Sequence, residues 1–223
     1  MFTPKAHIVI VDGQEGAGKK TVSFELAVTL LYNAQKTALV LPNNSSLHQT
    51  INNRLKLLPQ LLTPTILSKE NFYTQANNFN AIIIPHSVAD EELDIMASTY
   101  ISLLPKNSKN TANISDDKLL LNRIFELKKK IASAYNRSLN WIICENNLTK
   151  VLSDAPTEKL KKSERIYGFR AAPPLNYRHS YQANKTGISA QDKSLPMFKK
   201  DMTYEDICTK QEIVKLAEFI FSK

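Results

Sequence analysis

The residues best suited to chemistry lie near the start of the chain, where glycine is concentrated. Only five glycines occur among 223 residues, and three of them are Gly13, Gly16 and Gly18. With Lys19 they give the pattern G-x-x-x-x-G-K, in which backbone N–H groups can curl around phosphate oxygens while the lysine reaches the outer phosphates. A helix starting there would add its positive N-terminus. The pattern predicts a phosphate-binding loop; the alternative is a tight strand-to-helix turn without a ligand.

The position after Lys19 departs from this pattern. A loop of this kind continues with Ser or Thr, whose hydroxyl binds Mg²⁺, but this chain has Lys20. An ammonium group cannot ligate a metal ion and repels it, so the residues argue against Mg²⁺. Glu15 also places a carboxylate in a loop meant for anions. Lys20 could replace the charge of the metal; the simpler interpretation is a loop that no longer binds nucleotide.

The elements needed to position the loop are visible on both sides of it. An apolar run over residues 7–11 predicts a buried strand, and apolar residues at helical spacing predict a helix over about residues 20–34. Residues 37–41 predict a second strand. The three segments form a βαβ unit, in which the two strands are parallel.

The rest of the chain continues this alternation. Strands are predicted over residues 81–84, 100–104 and 139–144, and helices over 46–57, 115–135 and 155–166. A capping box of Thr209 and Glu212 predicts the start of a C-terminal helix, and residues 172–200 are expected to be irregular. The chain is therefore predicted to be α/β, with a mainly parallel sheet flanked by helices, and residues 1–223 to form a single domain.

Composition excludes several other classes of protein. Hydrophobic residues make up 43% and charged residues 22% of the chain, as in ordinary globular proteins. No apolar run approaches the roughly 20 residues of a transmembrane helix, and the N-terminal run is too short for a signal peptide, so we expect a cytoplasmic protein. Two cysteines and four histidines without ligand spacing indicate neither a disulfide framework nor a metal site.

The net charge of +8 favours acidic partners such as nucleic acid. An AT-rich genome would raise the lysine content without any such partner. If the charge serves DNA binding, basic residues on two predicted helices could contact phosphates, whereas the alternative is an ordinary solvated helix surface. These candidate residues are Lys128, Lys129, Lys130, Lys159, Lys161, Lys162 and Arg165.

The segment IVIVDGQEGAGKKT, together with segments at 78–87, 139–148 and 164–189, resembles the ParA/MinD family of P-loop ATPases, in particular its MipZ-type branch, which positions the division plane. The resemblance implies a P-loop NTPase fold, ATP as cofactor, and roles in chromosome partitioning and cell division. It implies chromosomal DNA at the nucleoid, ParB-like or FtsZ-like proteins and a second copy of the chain as partners. The implied cofactor-binding residues are Gly13, Gly16, Ala17, Gly18, Lys19, Lys20, Thr21 and Asn146.

Most residues that the family uses for hydrolysis are missing from this sequence. Gln14 stands at the position of the signature lysine, Lys20 at that of the metal-binding hydroxyl, and Pro85 at that of the Walker B aspartate. Residues 41–43 also lack the family's carboxylate. We therefore assign no catalytic residue and predict a pseudo-ATPase that binds DNA or protein partners; the alternative is a divergent but active ATPase.

Five nearby residues could restore part of the lost chemistry. His86 could be a general base or a histidine at the rim of the core. Acids at the start of a helix could bind a metal ion but more commonly complement the helix dipole. These acids are Asp90, Glu91, Glu92 and Asp94.

Overall fold

The described residues build one seven-stranded sheet with helices on both faces. A computed structural model describes residues 5–57, 59–86, 91–106, 118–147, 155–176, 179–182 and 186–222. All strand pairings are parallel, in the order β3-β2-β4-β1-β5-β6-β7. The strands are β1 (His7–Gly13), β2 (Thr37–Val40), β3 (Thr65–Leu67), β4 (Ala81–Pro85), β5 (Thr99–Lys106), β6 (Asn140–Asn147) and β7 (Arg170–Ala171). The predicted α/β fold with a parallel sheet is confirmed.

The first six helices connect successive strands, and the last two follow the final strand β7. They are α1 (Lys19–Tyr32), α2 (Ser46–Leu57), α3 (Lys69–Gln75), α4 (Glu91–Met96), α5 (Lys118–Tyr135), α6 (Glu158–Tyr167), α7 (His179–Gln182) and α8 (Tyr204–Phe221). None of the described helices is long and apolar enough to cross a membrane.

The sheet is buried on both faces, which explains why its central strands are apolar throughout. In β1, Ile8 and Ile10 pack on the side of α3, α4, α5 and α6, whereas Val9 and Val11 pack on the side of α1, α2 and α8. Successive strand residues point to opposite faces, so a strand covered on both sides needs apolar residues at every position.

The central position of β1 places the glycine cluster at the crevice of the fold. β1 lies between β4 and β5, and the chain builds one half of the sheet before it turns to the other. In open α/β sheets, ligands bind at the carboxyl ends of the strands where the strand order reverses. The chain enters the glycine cluster at this point.

The predicted start of the last helix is wrong. α8 begins at Tyr204 and is capped by Thr203, whose hydroxyl accepts the N–H of Asp206 at 3.2 Å while the Asp206 carboxylate accepts the N–H of Thr203 at 2.8 Å. Thr209 is buried inside the helix and donates to the carbonyl of Glu205. Both stretches fit the capping pattern, but residues 204–208 are already helical, so only the earlier one meets free N–H groups.

Candidate functional site

The glycine cluster forms the turn between β1 and α1, and packing as well as backbone conformation requires glycine there. Gly18 has a φ of +85° and immediately precedes α1; a Cβ atom at this residue would lie 2.8 Å from Asn146 Nδ2. A Cβ at Gly13 would lie 2.8 Å from the carbonyl oxygen of Leu103. Gly16 has a φ of +77° and no such crowding. Left-handed conformations of this kind are available to glycine at little cost.

The Lys19 side chain folds over the loop that it belongs to. Its Nζ donates to the carbonyls of Gly13 at 2.6 Å and Gln14 at 3.2 Å, and the N–H of Ala17 also donates to Gln14 O, at 3.1 Å. An anion in the loop would compete with these two carbonyls for the ammonium group. The ammonium group of Lys19 is therefore held against the loop backbone, where it would lie close to a phosphate bound by the loop.

The other two polar contacts of the loop differ from what the resemblance implies. Lys20 is exposed and its Nζ donates to Ser46 Oγ at the start of α2, 3.1 Å away. Asn146, at the end of β6, donates through Nδ2 to the carbonyl of Ala17 at 2.7 Å. Position 20 thus supplies no metal ligand, and the amide of Asn146 holds the loop itself. Thr21 lies half-buried in the first turn of α1.

A partly buried charged cluster lies directly behind the loop, and sequence reasoning singled out only two of its members, His86 and Asp94. Asp12, the residue before Gly13, accepts the Tyr100 hydroxyl at 2.9 Å and lies 3.1 Å from His86 Nδ1 and 3.4 Å from Arg123 Nη1. Arg123 Nη2 donates to Asp94 Oδ2 at 2.8 Å and also contacts His86 Nε2. We call Asp12, His86, Asp94, Tyr100 and Arg123 the charged cluster.

The contacts fix the protonation of His86. Burial lowers the pKa of His86, the Asp12 carboxylate opposes this, and the Arg123 guanidinium acts in the same direction as burial. A guanidinium has only donors, so Nε2 must accept and Nδ1 must carry the hydrogen that faces Asp12. His86 is therefore a neutral link between a carboxylate and a guanidinium, with its side chain 26% exposed.

The charged cluster does not fit a Mg²⁺ site. Arg123 takes the place between the two carboxylates where a metal ion would otherwise be needed to balance their charge. Pro85 ends β4 without a carboxylate, and it lies beside Val11 in the sheet. Within the described ranges, no group of three or more His, Cys, Asp or Glu residues could hold a metal ion. Oxygen ligands free of cations are what Mg²⁺ requires.

The acids proposed as substitutes already have partners within the protein. Glu91 pairs with Lys130, Glu92 accepts the hydroxyl of Tyr73 at 2.8 Å, and Asp94 belongs to the charged cluster. One oxygen of Asp94, Oδ1, is buried without a hydrogen-bond partner among the described residues. Asp90 lies outside the described residues.

The basic residues predicted to contact DNA fall into two groups. On α5, Lys128 donates to the carbonyl of Gly168 at 2.6 Å and covers the Trp141 ring, and Lys130 pairs with Glu91, so both ammonium groups already have partners within the protein. The others are exposed: Lys129 on α5, and Lys159, Lys161, Lys162 and Arg165 on α6.

Besides His86 and Asp94, sequence reasoning could have found one further member of the charged cluster. Asp12 is a carboxylate at the end of an otherwise apolar buried strand, directly before the glycines. Arg123 lies 111 positions further along the chain, inside an amphipathic helix, and no local pattern distinguishes it from a solvated residue.

Comparison with known proteins identifies the fold. No family model matches the sequence, and no curated protein is similar to it. Many solved structures resemble it, several of them over nearly their whole length. A chain of the MinC:MinD cell division protein complex of Aquifex aeolicus has a TM-score of 0.58 and 11% identity, covering 98% of this chain and 97% of that one. The fold is that of the MinD-type P-loop ATPases.

Two further structures support this result. The septum site-determining protein MinD of Pyrococcus horikoshii, complexed with Mg-ADP, has a TM-score of 0.54 and 14% identity, with 96% and 95% coverage. A putative plasmid partition protein of Borrelia burgdorferi, bound to AMPPNP, has a TM-score of 0.54 and 12% identity, with 95% and 98% coverage. Identities this low establish the shared MinD-type fold and leave the activity to be argued from the site.

Proposed function

We propose that this protein is a single-domain positioning or partitioning protein of the ParA/MinD type, resembling its MipZ branch, with weak or absent ATP hydrolysis. Its fold is shared with proteins of cell division and plasmid partition. It acts by binding DNA or protein partners. Any binding of nucleotide by its loop does not require Mg²⁺.

The arrangement of Arg123 between Asp12 and Asp94 carries the proposal. Phosphoryl transfer depends on cations that neutralise the developing charge and on a positioned water. Here the carboxylates behind the loop are already neutralised by a guanidinium, and Lys20 and Pro85 stand where a hydroxyl and a carboxylate would hold Mg²⁺. Losing these anchors removes several kcal/mol of transition-state stabilisation, on the order of what a metal ion supplies.

The same site retains what phosphate binding needs. The backbone around Gly16 and Gly18 and the Nζ of Lys19 would hold the phosphates of ATP. The nucleotide would then be bound without being hydrolysed. Lys20, exposed and close to Ser46, is the residue available to replace the charge of the metal. Asn146 holds the loop in shape through Ala17.

Titration calorimetry with ATP, in Mg²⁺ and in EDTA, tests this directly, together with a phosphate-release assay. We expect equal affinity in both buffers, loss of binding in Lys19→Ala, and no binding change in Lys129→Ala, which removes an exposed lysine elsewhere. Affinity that requires Mg²⁺ would contradict the proposed site. Absence of nucleotide binding in both buffers would leave the protein as a partner-binding protein without a nucleotide.

A divergent but active ATPase is the second candidate, and the Asp12–His86 contact favours it. A histidine oriented by a carboxylate is the usual arrangement of a general base, and His86 could act as one once the Arg123 guanidinium leaves Nε2. Phosphate release abolished by both Lys19→Ala and His86→Gln, with folding intact, would establish this alternative.

The proposed partners are chromosomal DNA at the nucleoid, ParB-like or FtsZ-like proteins, and a second copy of the chain. Of the basic residues predicted to contact DNA, Lys129 and those of α6 are exposed and could meet DNA phosphates. Duplex binding through them would weaken steeply as salt rises. Retention on duplex that is insensitive to salt would contradict such contacts.

A further inference from the structure

A basic groove lies at the open edge of the sheet, on the side of β7. α6 packs on one face of the sheet and α8 on the other, so the space between them follows the edge strand. This α6 groove encloses about 620 Å³, within the usual range of ligand-binding clefts. It is separate from the phosphate-binding loop.

The rim of the α6 groove is positively charged, and its cations are available. Lys161, Lys162 and Arg165 line it from α6, and all three are exposed. Neither Lys162 nor Arg165 forms a hydrogen bond or an ion pair with any residue in the described ranges, and Lys161 only approaches Glu158 at 4.0 Å. This differs from Lys128 and Lys130 of α5, which are held by the protein.

The acid among the lining residues is already used. The Glu164 carboxylate accepts the backbone N–H of Ala171 at 3.0 Å, which covers the outward-facing donor of the edge strand. A partner strand would have to displace Glu164 to pair with β7, so recognition through side chains is favoured over extension of the sheet.

The floor of the α6 groove is apolar. It is formed by Pro156, Ala171, Pro173 and Phe219. Arg170 stacks on the Phe219 ring at 4.2 Å and donates to Ser222, adding positive charge beside the floor. A DNA backbone would meet the cations but gain nothing from prolines and a phenyl ring. A polypeptide with alternating acidic and apolar side chains complements both the rim and the floor.

We propose that the α6 groove binds an acidic, partly apolar segment of a partner protein. Its acidic side chains pair with Lys161, Lys162 and Arg165, and its apolar side chains rest on Pro173 and Phe219. This goes beyond the proposed function because it assigns a partner chemistry to a second site, and it gives Lys161, Lys162 and Arg165 to a protein partner in place of DNA. It does not depend on whether the loop binds nucleotide.

Fluorescence anisotropy with defined probes tests the inference on the full chain at low salt. The probes are a labelled peptide of alternating Glu and Val with blocked termini, its Gln–Val counterpart, and a labelled DNA duplex. We expect the Glu–Val peptide to bind, the Gln–Val peptide to bind at least about tenfold more weakly, and the double variant Lys162→Glu/Arg165→Glu to lose at least about tenfold in affinity for the acidic peptide.

The control is Lys56→Glu/Lys118→Glu, which makes the same change in net charge at exposed residues of α2 and α5. It should retain peptide affinity within about twofold. Equal loss in both double variants would show that net charge alone attracts the peptide and would overturn the proposal. So would equal binding of the two peptides, tighter binding of DNA that depends on Lys162 and Arg165, or no binding of any probe. Nucleotide titrations of the same variants should be unchanged, so failure here is distinguishable from failure of the loop.

Discussion

A buried ion pair holds the segment before α8 against α1 and α2. Its removal should destabilise the whole fold. Arg54 of α2 and Asp192 both have fully buried side chains. Arg54 Nη2 donates to Asp192 Oδ1 at 2.8 Å, and Nη1 contacts Oδ2. Asp192 also accepts the Tyr32 hydroxyl at 2.7 Å and the N–H of Ser189 at 2.7 Å. One carboxylate thus joins α1, α2 and the C-terminal segment.

The substitution Asp192→Asn keeps the shape of the side chain but removes its charge. Arg54 would retain hydrogen bonds to the carbonyls of Leu62 and Gly187, yet its buried charge would lose the carboxylate that pairs with it directly. Breaking a buried pair in this way costs about 3–5 kcal/mol, a large part of the roughly 5–15 kcal/mol by which domains are stable. Urea unfolding followed by circular dichroism should show a lower midpoint with an unchanged slope.

The matched control is Glu91→Gln, which makes the same chemical change in the exposed pair with Lys130. We expect no measurable shift in its urea midpoint, because such pairs contribute little in water. A midpoint for Asp192→Asn equal to that of Glu91→Gln would refute the reasoning. A second check is Arg54→Met/Asp192→Leu, which should recover part of the loss because no unpaired charge remains.

Three further predictions concern the loop and its surroundings. Burial raises the pKa of Glu25 to about 8, although the hydrogen bond from the N–H of Ala190 partly opposes this shift. The folded state therefore keeps a proton on Glu25 that the unfolded state releases from about pH 4.5. The contribution of this proton to the free energy of unfolding is fully present below pH 4.5 and is lost as the pH rises towards 8, by up to about 1.4 kcal/mol per pH unit. In Glu25→Gln, the urea midpoint should therefore change less with pH across this window. Gly18→Ala should lower the thermal midpoint more than Gly16→Ala, since both strain a left-handed backbone but only the first meets another side chain; equal midpoints would contradict this. Arg123→Gln should gain a thermal shift on adding Mg²⁺ that the wild type and Arg123→Lys lack, because two carboxylates then lose their cation; no gain would argue against charge replacement.

The parts of the fold that the sequence predicts well are those specified by neighbouring residues. β1 and α1 follow from an apolar run, a glycine cluster and a helical stripe, all contiguous. β3 and β7 have three and two residues, too few to show a period, and they form only because a longer strand lies beside them. The start of α8 depends on which of two similar caps meets free N–H groups, and the sequence around each cap is equally suitable.

The site divides in the same way. The loop glycines are recognisable because their spacing is local, whereas the charged cluster combines residues from β1, α4, β5 and α5 with the segment after β4. Its members become neighbours only when the sheet brings the carboxyl ends of its strands together. A rule based on spacing shows that Pro85 stands where the resembled family has its Walker B aspartate. It cannot show that the Asp12 carboxylate and the Arg123 guanidinium both contact the next residue, His86.

The glycines themselves need separate interpretation, because packing explains two of them without any ligand. Gly13 is held against the backbone carbonyl of Leu103, and Gly18 combines a left-handed backbone with a close contact to the amide of Asn146, so both positions favour glycine whether or not phosphate binds. Gly16 has no atom within 4 Å of an added Cβ, and only its backbone conformation requires glycine. A left-handed residue at an open position is strained for most other side chains and is kept where the backbone shape has a use. The conformation of Gly16, rather than the number of glycines, therefore supports the proposal that the loop binds an anion.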